Sequence, residues 1–312
     1  MINIDRLYRS AVLGVANNSL IKSVIQDRAR GAVSRFVAGE TLPEAVRAVE
    51  KLEQDGIHGI LDLLGEMVNS DAEASMFTAQ ILEIIGAFQV WQNKSEHFPG
   101  YASIKLSQLG LDLPGDLGIQ NARKILEAAK RANAFVRIDM EDSSRVTKTL
   151  EVFRELRQDY DNVGLVIQAM LRRTEADLES LADLKPNLRI VKGAYLEPES
   201  EAFPDKHTVD MQYRRLVYRN LELGNYTCIA THDESIIKDC QTYIEKNKIA
   251  KDRYEFQMLY GIRRDLQKRL ASEGFTVRAY IPYGKDWYAY FSRRIAERPA
   301  NVGFVLRGMF KG

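Results

Sequence analysis

The chain has 312 residues, 45% hydrophobic and 28% charged, with a formal net charge of +1. That profile excludes a disordered or fibrous protein, and so even a balance gives no case for nucleic acid as a partner. No apolar run approaches the roughly 20 residues needed to cross a bilayer, and Cys228 and Cys240 form neither a CxxC pair nor a disulfide framework, so a reducing, cytoplasmic setting is expected.

The opening stretch "MINIDRLYRSAVLGVANNSL" is no secretory signal: its apolar part is brief and Asp5 comes early. Residues 1–55 read as a helical arm. Within it "TLPEAVRAVEKLEQDG" has Thr41 as N-cap, Glu44 three residues on and Gly56 past its end, the marks of a capped helix. From residue 56 to 312 short β-branched runs alternate with amphipathic stretches. The runs are "GIHGILDLLG" (56–65), "YASIKLS" (101–107), "AFVRIDM" (134–140), "VGLVIQAM" (163–170), "LRIVKGAY" (188–195), "YTCIATH" (226–232), "YEFQML" (254–259) and "FTVRAYIPYG" (275–284). Strand and helix alternating in this way predict a (βα)8 TIM-type barrel, and the span fits the ~250 residues typical of one. A doubly wound sheet is the rival, but the G-x-G-x-x-G turn by which it usually holds a nucleotide is missing.

Chemistry in such barrels sits where strands end. Lys105 lies in the second run, Asp139 ends the third and Gln168 the fourth. Arg189 and Lys192 lie in the fifth, Thr231 and His232 end the sixth, Gln257 and Leu259 the seventh, and Tyr280 is in the eighth. Taken singly each has a plain structural reading: a snorkelling Lys, a helix-capping Asp, a hydrogen-bonded core His. Together they form a ring of opposite charges at one rim, able to satisfy each other when buried. His58, His97, His207 and His232 form no H-x-H or H-E-x-x-H, so no metal site is expected, and there is no G-x-S-x-G elbow. Lys105 or Lys192 could serve a Schiff-base aldolase, and a non-catalytic binding protein for a small carboxylic acid is a further alternative.

The last helix, "WYAYFSRRIAERP", carries Tyr290, Arg293, Arg294 and Glu297 at i, i+3, i+4 and i+7, on one face. Such a stripe is either a solvated surface or a carboxylate clamp, in which paired guanidinium groups grip an amino or keto acid, Glu297 orients them and Tyr290 forms a wall.

In chain order, "SIKLS", "RIDMED", "VIQA", "RIVKGAY", "ATHD", "EFQMLYG", "RAYIPYG" and "YFSRRIAERPAN" resemble the successive motifs of the proline dehydrogenase family, over roughly residues 100 to 305. The resemblance implies noncovalent FAD, oxidation of L-proline to Δ1-pyrroline-5-carboxylate and transfer of electrons to a quinone. It implies that Arg293, Arg294 and Lys105 bind the substrate carboxylate, that Asp139 shapes the pocket charge, and that Tyr280, Tyr290 and Leu259 pack around the ring. Arg189 would lie near the flavin ring. Met140, Gln168, Val191, Lys192, Gly193, Ala194 and Tyr195 match flavin-contacting positions, and Thr231 and His232 match positions near the ribityl chain and phosphates. Leu196 stands where many members have Trp, and Asp233 where Asn is frequent. The chain resembles the short, single-activity form, whose product passes to a separate pyrroline-5-carboxylate dehydrogenase. The C-terminal "FVLRGMFKG" is read as a helix end packed on the barrel, in preference to a peripheral contact with the inner face of the cell membrane.

Overall fold

Parallel strands need a long crossover between them, and here each crossover is a helix. The computed structural model describes residues 33–65, 67–92 and 100–297. After helix α1 (Leu42–Glu53) come β1 (His58–Leu63), α2 (Asp71–Gln92), β2 (Tyr101–Ile104), α3 (Leu117–Arg131), β3 (Phe135–Ile138) and α4 (Val146–Asp159). Then follow β4 (Val163–Gln168), α5 (Thr174–Ser180), β5 (Asn187–Val191), α6 (Lys206–Glu222), β6 (Tyr226–Ala230) and α7 (Glu234–Lys246). The chain continues through β7 (Tyr254–Leu259), α8 (Arg264–Ser272), β8 (Val277–Tyr283) and α9 (Trp287–Glu297). All neighbouring strands pair in parallel, and β1 pairs with both β2 and β8, so the sheet closes on itself. The expected (βα)8 TIM-type architecture is therefore what the chain adopts.

The main apolar core is a ring between sheet and helices. Val136 and Ile138 of β3, Leu188 and Ile190 of β5, and Val277, Ala279 and Ile281 of β8 all belong to it. Residues that alternate with these face the barrel interior, and many are polar. Arg137 is fully buried there. It donates to Tyr101 Oη at 3.1 Å through Nε and to the carbonyl of Asn187 at 2.6 Å through Nη1, reaching across three strands. Gly164 of β4 makes room for it: a Cβ at that position would lie 2.4 Å from Arg137 Nη1. Beside it, Arg278 Nε donates to Glu255 Oε2 at 2.8 Å, and Tyr226 Oη to the same oxygen at 3.1 Å. A polar filling replaces the branched aliphatic layers usual in this fold.

Helix α1 begins as predicted: the Thr41 N–H donates to Glu44 Oε2 at 2.9 Å. The helix packs against β1 and β8 and shares the main core through Ala45, Val49 and Leu52. The segment before it runs along the C-terminal end of β8, where the Ala38 N–H donates to the Pro282 carbonyl at 2.9 Å. Phe36 and Val37 join Trp287, Tyr290 and Phe291 of α9 in a second, smaller cluster. Gly261, with φ of 72°, lets this segment approach, since a Cβ there would lie 1.6 Å from the Arg35 carbonyl oxygen. Among the described residues no helix is long and apolar enough to cross a membrane.

Candidate active site

The C-terminal ends of the strands open onto a cavity of about 550 Å³. Its floor is a charge network built from β1, β2, β3, β5, β7 and β8 or their ends. Asp62 of β1, 1% exposed, accepts from Lys105 Nζ at 2.6 Å. Lys105 Nζ also lies 4.0 Å from Asp139 Oδ2, just past β3. Asp139 Oδ1 accepts from Arg189 Nη1 at 2.8 Å and from Ser103 Oγ at 3.0 Å, while Oδ2 accepts from the Tyr280 hydroxyl at 2.7 Å. Arg189 Nε donates to Gln257 Oε1 at 2.6 Å, and its Cζ lies 5.1 Å from the centroid of the Tyr280 ring.

The electrostatics follow from this packing. Burial works against charge on Lys105, yet the Asp62 and Asp139 carboxylates outweigh it and hold its pKa above the ordinary lysine value. Burial pushes the Asp62 carboxyl up, Lys105 pulls it back, and Asp139 adds to the rise. Burial and then Asp139 hold the Tyr280 hydroxyl well above its ordinary value, so it is a neutral donor. A Schiff base needs a neutral amine. Lys105 is held charged, and Lys192 is engaged with Asp210 at 2.5 Å and Asp233 at 3.2 Å. This geometry argues against the aldolase alternative at both lysines.

One wall is the chain that leaves β5. Val191, Lys192, Gly193, Ala194 and Tyr195 all line the cavity. Gly193 has φ of 113°, and a Cβ there would meet the Met170 side chain at 2.3 Å. Opposite are Met140 and Gln168, the latter fixed by donating to the Glu141 carbonyl at 2.8 Å. Thr231 and His232 continue the wall. His232 Nε2 accepts from the Leu259 N–H at 2.9 Å, which leaves the ring proton on Nδ1. Asp233 caps α7 by accepting from the Ser235 N–H at 3.2 Å, so its carboxylate has structural duties beside Lys192. Leu259 and Tyr290 close the remaining side, Tyr290 coming from α9. Leu196 is exposed.

The residues singled out in the sequence thus meet at one cavity, apart from three. Arg293, Arg294 and Glu297 fall on α9, but their side chains lie outside the described residues. Sequence reasoning missed Asp62, Ser103, Lys206, Arg35 and Phe36. Asp62 left a signal: a lone carboxylate inside an apolar strand requires a buried partner. Arg35 and Phe36 reach the cavity from the arm before α1, which no local pattern announces.

A model of the family described as proline dehydrogenase matches residues 45–307. The proline dehydrogenase of Deinococcus radiodurans is 51% identical over 314 residues, covering 99% of this chain and 100% of that protein. The chain belongs to the proline dehydrogenase family. Proline dehydrogenase 1 of Bacillus subtilis strain 168 is 44% identical over 295 residues, 95% of this chain and 96% of the relative. Among solved structures, proline utilization A (PutA) from Bdellovibrio bacteriovorus inactivated by N-propargylglycine superimposes with a TM-score of 0.80 at 25% identity. That match covers 94% of this chain and 36% of the other. Leu196, expected from the resemblance to depart from the family, lies just past the wall that leaves β5, and Asp233, the other expected departure, caps α7.

Proposed function

We propose that this proline dehydrogenase family member oxidises L-proline to Δ1-pyrroline-5-carboxylate with FAD held noncovalently in the cavity, passes the electrons to a quinone, and releases its product to a separate pyrroline-5-carboxylate dehydrogenase. The observation that carries the reading is Arg189. It is 5% exposed, its Nε and Nη1 are engaged within the wall, and its Nη2 is buried with no hydrogen-bond partner among the described residues. A buried guanidinium with an unused donor in a cavity wall calls for an anionic or carbonyl acceptor, and a flavin ring carries such groups. The other walls fit the same group. Gly193 leaves the backbone uncovered, Met140 and Val191 are apolar, and Lys192 and Lys206, both paired with Asp210 and Asp233, are the ammonium groups on the cavity wall that a pyrophosphate would draw on.

When bound, FAD supplies the two-electron acceptor for a hydride from C5 of the substrate. The protein's own contribution is orientation and charge. Lys105, kept protonated by Asp62 and Asp139, is the cationic anchor for the substrate carboxylate, with Arg293 and Arg294 as its assigned partners on α9. Helical spacing groups 293, 294 and 297 with Tyr290, whose side chain lines the cavity. Leu259, Tyr280 and Tyr290 form the apolar shell for a pyrrolidine ring and exclude water from it. Asp139 acts by holding Arg189 and Tyr280 in place. The reading places the protein in the cytoplasm, with peripheral contact at the inner face of the cell membrane as the less favoured alternative.

An absorption spectrum tests this directly. The purified protein, as isolated or after incubation with FAD, is expected to be yellow, and L-proline is expected to bleach it without oxygen. A colourless protein that FAD does not reconstitute would sink the proposal, and binding of proline without bleaching would favour the non-catalytic alternative.

A further inference from the structure

Arg189 is not held by the rim alone. Its Nε is received by Gln257 Oε1 at 2.6 Å, and the amide on the other end of Gln257 donates from Nε2 to Glu255 Oε1. Glu255 is 1% exposed, and its second oxygen takes Arg278 Nε at 2.8 Å and Tyr226 Oη at 3.1 Å. This is a continuous line of side chains from the polar filling of the barrel up to the cavity wall. It has a direction. A carboxylate only accepts hydrogen bonds, so Glu255 obliges Gln257 to present its NH2 inward. The Gln257 carbonyl oxygen is then the only part of the amide left to face Arg189. Turned the other way, the amide would set a donor against the Arg189 Nε–H.

We infer that Glu255 and Gln257 are positioning residues that fix the plane of the Arg189 guanidinium, and with it the electron affinity of the flavin. This rests on the cofactor reading above and deepens it. Arg189 has two fixed edges, one on Gln257 and one on Asp139 at 2.8 Å. A planar fork held at two edges cannot rotate, so its third nitrogen, Nη2, keeps one direction. Reduction puts negative charge on the flavin, and a donor already aimed at that charge stabilises it without reorganisation. Glu255 itself does not line the cavity, so it acts only through Gln257. Burial opposes the charge on Glu255, but Arg278, the Gln257 amide and Arg137 together outweigh it and hold the carboxyl below its ordinary pKa. The acceptor that sets the amide is thus ionised at neutral pH.

The test is the two-electron midpoint potential of the FAD-loaded protein, measured with a reference dye for the parent, Gln257→Leu and Glu255→Gln. Both variants keep side-chain size. In each, the affinity for reduced over oxidised flavin is expected to fall about tenfold, which is about 30 mV toward negative for a two-electron couple. The sign in Glu255→Gln is decisive. Removing a buried negative charge by itself raises the potential, whereas a freed, reversed Gln257 lowers it by misdirecting Arg189. An unchanged potential in Gln257→Leu, or a rise in Glu255→Gln, overturns the inference while leaving the flavin reading intact. A parent that binds no flavin overturns both, and is seen before any variant is titrated.

Discussion

Lys105 Nζ sits 2.6 Å from Asp62 Oδ1, so the ammonium that anchors the rim of the second strand is paired by the first. Removing one member of a buried ion pair leaves the other uncompensated, which costs about 3–5 kcal/mol. Asp62→Ala is therefore expected to lose about 3 kcal/mol in urea unfolding, since Lys105 retains some solvent contact. The exposed pair Arg131–Glu127 gives the contrast: Glu127→Ala is expected to change stability by less than about 1 kcal/mol. Similar losses in the two variants would mean that the Asp62–Lys105 pair is no more than a surface pair.

The same pair predicts a pH dependence whose sign can be worked out. The folded-state pKa of Lys105 is raised by its carboxylates. Its stabilisation is thus complete below the ordinary lysine value, about 10.4, and is lost as pH climbs from there through the raised value. Thermal melts of the parent are expected to hold steady across neutral pH with respect to this group and to fall above about pH 10. In Asp62→Asn the lysine has only the more distant Asp139, so the fall still starts from the ordinary lysine value but is expected to be smaller and to end at lower pH. Coincident alkaline limbs would contradict the coupling.

How much of this was readable from sequence depends on the distance over which each feature is encoded. The strands were legible because buried parallel strands are short β-branched runs bounded by Gly or polar residues, and β3, β4 and β8 fall within theirs. Lys105, Asp139 and Arg189 were legible as rim candidates because a barrel directs chemistry to strand ends. Asp62 was not, because "GILDLLG" reads as an apolar run and its partner lies 43 residues on. Arg137 and Arg278 sit in strand middles, where period-two alternation assigns a face but not its content. Their acceptability depends on Tyr101, Asn187 and Glu255 from other strands, which local patterns do not register. Residues 33–39 show the same limit: the arm was read as separate helices, yet Arg35 and Phe36 reach the cavity.

Tyr280→Phe isolates one hydrogen bond of the rim. The hydroxyl donates to Asp139 Oδ2 at 2.7 Å, while the ring beside Arg189 is unchanged by the substitution. A hydrogen bond to a charged group contributes about 1.5–3 kcal/mol. With that bond gone, Asp139 is less firmly set and kcat/KM for proline oxidation is expected to fall at least about tenfold, with flavin content unchanged. Equal kcat/KM in parent and variant would make the hydroxyl a spectator. Loss of flavin together with activity would assign it to the cofactor instead.

Two glycines make opposite predictions for one substitution. Gly164 in β4 faces the barrel interior, and a Cβ there would lie 2.4 Å from Arg137 Nη1 and 2.7 Å from the Asn187 carbonyl oxygen. The first neighbour is a guanidinium already bound to the Leu165 and Asn187 carbonyls, and the second is backbone of the adjoining strand. Neither yields without breaking a buried hydrogen bond, so Gly164→Ala is expected to cost about 3 kcal/mol. For a domain of this size that is roughly 6–12 °C in Tm. Gly86, on the exposed face of α2, has nothing within 4 Å of where its Cβ would stand. There the methyl group only restricts the unfolded chain and favours the helix, so Gly86→Ala is expected to add up to about 1 kcal/mol. Calorimetry of the two variants reads both signs. A Gly164→Ala protein as stable as the parent would show that Arg137 has room to move, and the tight polar filling described for the barrel would be wrong.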